Sequence, residues 1–217
     1  MVCGVRESDA AEPGGPRADR RARRRQETID EILHIAIGVM GEHGVKPPSI
    51  YKYFPSIGAV YDALFKQAAA ENLAVLREGM ARGTPGLDAL TTGLEASGRW
   101  VLQNQALAQL LFWRPVPGFE PSPEAFAPSE EIASLQQQAI ADAVAAGQLG
   151  PEALKDAGLV VSILIKGVLT QAMANEPHLQ WGEGRFTPTF PKLMKLLPAA
   201  YPPPPTRSRR SRRPERA

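Results

Sequence analysis

Between Pro151 and Asn175 the chain offers a helix with almost no polar side. Leu159, Val160, Val161, Ile163, Leu164, Ile165, Val168 and Leu169 fall nearly all round it, and such a helix has to be covered on two sides. Ser162 and Lys166 interrupt the run, and residues 157–169 are too few for a comfortable membrane span. The cover is therefore protein. In a chain of 217 residues the economical arrangement puts one face on the protomer's own body and the other on a second copy. The interface residues expected on this reading are Val160, Val161, Leu164, Ile165 and Val168. Leu193 and Leu196, from a last helix over about 191–197, join them.

The remainder also reads as helix, so the fold class is all-α. Ile29, Ile32, Leu33, Ala36, Ile37 and Met40 form one amphipathic stripe that Gly44 stops. Ser56 caps a helix from Ile57 to about residue 81, with Val60, Leu64 and Ala68 on one face. Leu87 to Ala106 is the next, and residues 106–113 either continue it or form a short helix of their own. Residues 114–123 are too rich in proline for a regular element. Ser129, with Glu130 and Glu131 behind it, starts a helix that Gly147 ends.

Charge is unevenly spread. The formal net charge is +2, but residues 1–25 carry +3 and residues 206–217 carry +5, which leaves the body at −6. Basic ends on an acidic body point to nucleic acid or another anionic surface as the partner of the ends alone. The bland reading of the arginine-rich C-terminal end is a solvated tail. The single cysteine, Cys3, excludes a disulfide framework. No signal-peptide pattern is visible, and the expected location is cytoplasmic. No nucleotide loop, His-Glu-x-x-His, cysteine pair or nucleophile elbow occurs, and His34, His43 and His178 are scattered. Neither an enzyme, a metal site nor a cofactor is expected.

Pro47 and Pro48 suit the first turn of a helix, and Pro55 stops it after Phe54. The very short helix between them displays Ser49, Tyr51, Lys52 and Tyr53, each able to bond a phosphate oxygen. Upstream, Arg20, Arg21, Arg24 and Arg25 load the first turns of a helix that Asp19 can cap. There they oppose the helix dipole unless they face phosphates.

The run Ser49-Ile50-Tyr51-Lys52-Tyr53-Phe54 resembles the recognition-helix signature of the TetR family of one-component transcriptional regulators. The resemblance implies an N-terminal helix-turn-helix that reads double-stranded operator DNA, and a helical-bundle body that binds a small apolar effector and forms a homodimer. The implied DNA contacts are Arg20, Arg21, Arg24, Arg25, Lys46, Pro48, Ser49, Tyr51, Lys52 and Tyr53. The run from Phe112 to Phe119 resembles a segment that a subgroup of the family carries between its regulatory helices. As chemistry it is an aromatic cluster around one arginine beside a stiff loop, and Trp100, Phe112, Trp113, Arg114 and Phe119 are the expected pocket residues. The alternative is core aromatics with an exposed arginine.

Two departures stand out. The family has roughly twenty residues between the glycine ending the first helix and the recognition tyrosine, room for a helix and two turns. Here Gly44 and Tyr51 are separated only by Val45 to Ile50, so the first helix of the helix-turn-helix is missing. Ile57 also stands where the family usually has a DNA-contacting lysine. Two readings follow: a ligand-responsive repressor, or a dimeric ligand-binding protein that no longer reads an operator. The expected division is a tail over 1–18, a DNA-binding domain over 19–66, a ligand-binding and dimerisation domain over 67–200, and a Pro/Arg-rich tail over 201–217.

Overall fold

The computed structural model describes residues 54–205 of the chain, together with Arg23 and Glu27. Those two lie in helical backbone and pair one turn apart at 3.4 Å. Among the described residues every regular element is helical. They are α1 (Ile57–Arg82), α2 (Leu87–Gln103), α3 (Gln105–Trp113), α4 (Pro123–Ala145), α5 (Ala153–Asn175), a 3-10 turn (Thr187–Thr189), α6 (Phe190–Met194) and α7 (Leu197–Ala200). The fold is all-α.

Helix α1 is the spine. Ser56 caps it, its hydroxyl accepting from the Ala59 N–H at 3.2 Å. Val60, Leu64, Ala68, Asn72 and Leu76 then follow four residues apart, all buried. With 26 residues it spans roughly 39 Å. It runs unbroken through residues 66 and 67, where a domain boundary was expected.

Helix α2 returns along α1 at very close range. A Cβ on Gly79 would lie 2.8 Å from the Thr92 carbonyl oxygen and 2.9 Å from the Gly93 Cα, so the backbones touch where these glycines meet. The chain then breaks at Asn104, whose φ of −126° and ψ of 49° are not helical. Its backbone N–H and its side-chain amide both donate to the Trp100 carbonyl at 2.9 Å, closing the helix there. Residues 105–113 therefore form their own helix, α3.

Helix α4 begins earlier than the sequence suggested. Ser122 caps it, accepting from Ala125 N–H at 3.2 Å, and Pro123 takes the first position, where its missing N–H costs nothing. The cap is tied to α1, because Asp62 accepts from the Ser122 N–H at 2.6 Å and its hydroxyl at 2.7 Å. Ser129 therefore sits inside the helix, not at its start. Pro128 is interior as well and gives up the bond to the carbonyl one turn back.

Helix α5 settles which of its faces looks inward. Ala153, Ala157, Val161, Ile165, Val168, Leu169 and Ala172 are buried in the protomer. Leu159 and Ile163 stay 65% and 61% exposed. The helix has the length and apolarity to cross a membrane, yet its inner face belongs to the common core. The expected last helix over 191–197 is divided into α6 and α7, with Pro191 and Pro198 each in a first turn.

The chain end is pinned by Tyr201. Its carbonyl accepts from Gly150 N–H at 2.9 Å, and its hydroxyl donates to Asp156 Oδ1 at 2.7 Å. That hydrogen bond, aided by burial, holds the phenol above its usual 10.0. The folded state thus binds this proton more tightly than the unfolded state does. The stabilisation is complete below the unfolded pKa and is lost as pH rises through the folded one. Tyr201→Phe is expected to unfold more easily than the native chain at neutral pH. The gap between their melting midpoints should narrow as pH climbs from roughly 9 to 11, measured by circular dichroism.

Candidate ligand pocket

The first half of α4 runs in the same direction as α1. Phe65 stacks on Phe126 at 6.1 Å, and ion pairs join Lys66 to Glu124 and Arg77 to Glu131. This register puts Asn72 and Ser129 at one level of the helix pair. There α1, α2, α3, α4 and α5 all line a cavity of about 440 Å³, a volume ordinary for a small-molecule site.

Its walls are apolar: Leu94 from α2, Leu111 and Phe112 from α3, Phe126 and Ile132 from α4, Ile165 and Leu169 from α5. Uncharged polar side chains reach it from four helices: Asn72 from α1, Ser97 from α2, Ser129 and Gln136 from α4, and Ser162 from α5. Asn72 is 1% exposed, and its Oδ1 accepts from the buried Ser97 hydroxyl at 3.1 Å. Among the described residues its Nδ2 has no hydrogen-bond partner, and neither has the buried Ser129 Oγ. Each such group costs about 1–3 kcal/mol relative to a bonded one, and native interiors keep few. Two of them lining one cavity suit an occupant that bonds both.

Arg114 and Lys166 also line the cavity. Both are exposed, and among the described residues no acid lines it. Arg114 ends α3 in the left-handed region, with φ 44° and ψ 63°. For a residue with a side chain this costs roughly 1–2 kcal/mol, and packing has to hold it there. Its guanidinium lies over the Phe126 ring at 5.6 Å, a cation–π contact that fixes the arginine beside the cavity.

The five expected pocket residues are not brought together. Phe112 and Arg114 line the cavity. Trp113 stands edge-on to Phe112 at 5.9 Å, outside the lining. Trp100 is buried between α1 and α2, its indole N–H donating to Glu71 Oε2 at 3.3 Å. Phe119 packs against Tyr61 and Phe65 and lines a separate open groove at the start of α1. The residues that sequence reasoning missed are Asn72, Ser97 and Ser129. Asn72 carried a signal, being the one amide in a stripe of apolar residues four apart.

The expected interface residues divide too. Val161, Ile165 and Val168 are buried in the protomer's own core, and Val160, Leu164 and Leu193 are half-buried. Leu196 is 60% exposed. The open apolar face of α5 is instead the one carrying Leu159 and Ile163. The expected DNA contacts Arg20, Arg21, Arg24, Arg25, Lys46, Pro48, Ser49, Tyr51, Lys52 and Tyr53 lie outside the described residues.

No family model matches the chain, and no curated protein does. Solved structures do share its fold. A protein of unknown function from Rhodococcus sp. RHA1 superposes with a TM-score of 0.62 at 17% identity, over 89% of this chain and 99% of that one. SCO4313, described as a candidate regulatory protein, gives 0.52 at 22% identity, over 84% and 98%. At such identities the likeness establishes the fold alone.

Proposed function

We propose that the chain is a homodimeric, ligand-responsive transcriptional regulator of TetR type, working in the cytoplasm as a repressor. The observation that carries this reading is the placement of the cavity on α1. Asn72 faces the cavity from the middle of the helix, and the recognition motif ends at Phe54, just before its cap. From Asn72 to Ile57 is roughly 22 Å of continuous helix. A ligand that bonds Asn72 and spreads α1 from α4 therefore tilts a lever whose far end carries the DNA-reading segment. Two half-sites on one duplex demand a fixed spacing between paired readers, and a tilt changes that spacing. The fold shared with SCO4313 supports the same reading.

The paired subunits would meet on the outer face of α5. Replacing both Leu159 and Ile163 with glutamate is expected to weaken self-association by about 2 kcal/mol or more per residue. Sedimentation velocity should then show a monomer at concentrations where the native protein is a dimer, with an unchanged circular dichroism spectrum.

The functional test is a titration of the full-length protein on duplex DNA from upstream of its own coding sequence, against a scrambled duplex. A regulator should prefer its own site by roughly a thousandfold or more. Equal affinity for both, falling steeply with salt, favours the other reading, a dimeric ligand-binding protein without operator recognition. The short Gly44–Tyr51 segment is the observation behind that reading.

A further inference from the structure

We infer that the cavity takes an apolar molecule carrying one uncharged carbonyl group, a ketone or an ester, whose oxygen accepts from both Asn72 and Ser129. The inference rests on the ligand-pocket reading and names the chemistry of its occupant. Its ground is the two unpartnered buried polar atoms that line one cavity. The Asn72 amide has its oxygen engaged by Ser97, which leaves the Nδ2 hydrogens to give. The Ser129 hydroxyl can turn its hydrogen into the same cavity. Two donors, one from α1 and one from α4, suit one acceptor oxygen with two lone pairs.

The charge of the occupant follows from what surrounds those donors. A carboxylate in this cavity would be held by neutral side chains alone, those of Asn72 and Ser129 with Gln136 and Ser162, and would lose more hydration than they return. The cations that could neutralise it, Arg114 and Lys166, are exposed, and water screens them. An organic cation is disfavoured for the opposite reason: among the described residues the lining holds two positive charges and no negative one. A neutral carbonyl meets neither penalty. An alkane of the same shape fills the cavity and leaves both donors as they were.

Isothermal titration of the full-length protein with butyrophenone, butylbenzene and phenylbutylamine tests this. Butyrophenone is expected to bind about tenfold or more tightly than butylbenzene, the yield of roughly two neutral hydrogen bonds. Phenylbutylamine should be weaker than either. Asn72→Leu should remove most of the preference for the ketone. Equal affinity for ketone and hydrocarbon, no binding of the ketone, or a preference that survives Asn72→Leu would each overturn the inference. Adding butyrophenone to the DNA titration separates this from the regulator reading. Ketone selectivity without any change in DNA affinity upholds the pocket chemistry and overturns ligand-controlled regulation.

Discussion

Phe65→Ala is expected to lower the melting midpoint by roughly 10 °C, by far more than any surface change. Phe65 has no exposed surface and lies between Phe126 of α4 and Phe119 of the preceding loop, at 6.1 and 6.3 Å. Truncating a buried phenylalanine costs about 3–5 kcal/mol, part of it lost transfer energy and part the cavity left behind. At this chain length each kcal/mol moves the midpoint by roughly 2–4 °C. The loss falls where α4 and the 114–122 loop are fastened to α1, so ligand binding should weaken with stability. Phe65→Leu keeps most of the volume and should recover most of the loss. A shift for the alanine variant no larger than about 2 °C would show that the α1–α4 seam is not close-packed.

Gly79→Val should be comparably damaging for the opposite reason. Nothing can be added between α1 and α2 where a Cβ already meets backbone atoms at 2.8 and 2.9 Å. The helices must separate, and overpacking of this kind costs about 3 kcal/mol or more when backbone has to yield, roughly 6–12 °C. Gly58→Ala on the same helix is the control. Its Cβ would meet only Ser56 Oγ, at 3.6 Å, so the gain in helix propensity, up to about 1 kcal/mol, should appear as a slight stabilisation. Thermal melts of both variants decide the matter: two losses, or two near-neutral results, would contradict the packing described.

How far the chain could be read in advance depended on whether a local rule had a competitor. Ser56 and the Val60–Leu64–Ala68 stripe gave α1 correctly, since cap and periodicity agreed. At α4 Ser129, with two acids behind it, placed the start too late. The proline-rich approach hid the true one, because Pro123 beside Ser122 looks like a loop until it is recognised as a first-turn proline. Helix α5 was legible as a helix that buries one side in its own protomer, but not as to which side. A helix apolar all round has no moment to orient it, so Val161, Ile165 and Val168 looked no different from Leu159 and Ile163. The pocket was the least legible part. Aromatics clustered in sequence at 112–119 are spread in space over a cavity wall, an edge-on pair and a separate groove. The polar residues that define the site, Asn72, Ser97 and Ser129, come from three helices, and only the register between α1 and α4 brings two of them level.

The central claim is that two copies, joined along α5, carry paired readers to one duplex and that α1 transmits the state of the cavity to them. Sedimentation velocity of the full-length protein with a labelled duplex from its own upstream region puts that claim to trial most directly. The account predicts two protomers on each duplex, reduced to unbound species by the Leu159 and Ile163 glutamate pair. A single protomer per duplex, or the same complex with the glutamate pair in place, would contradict it.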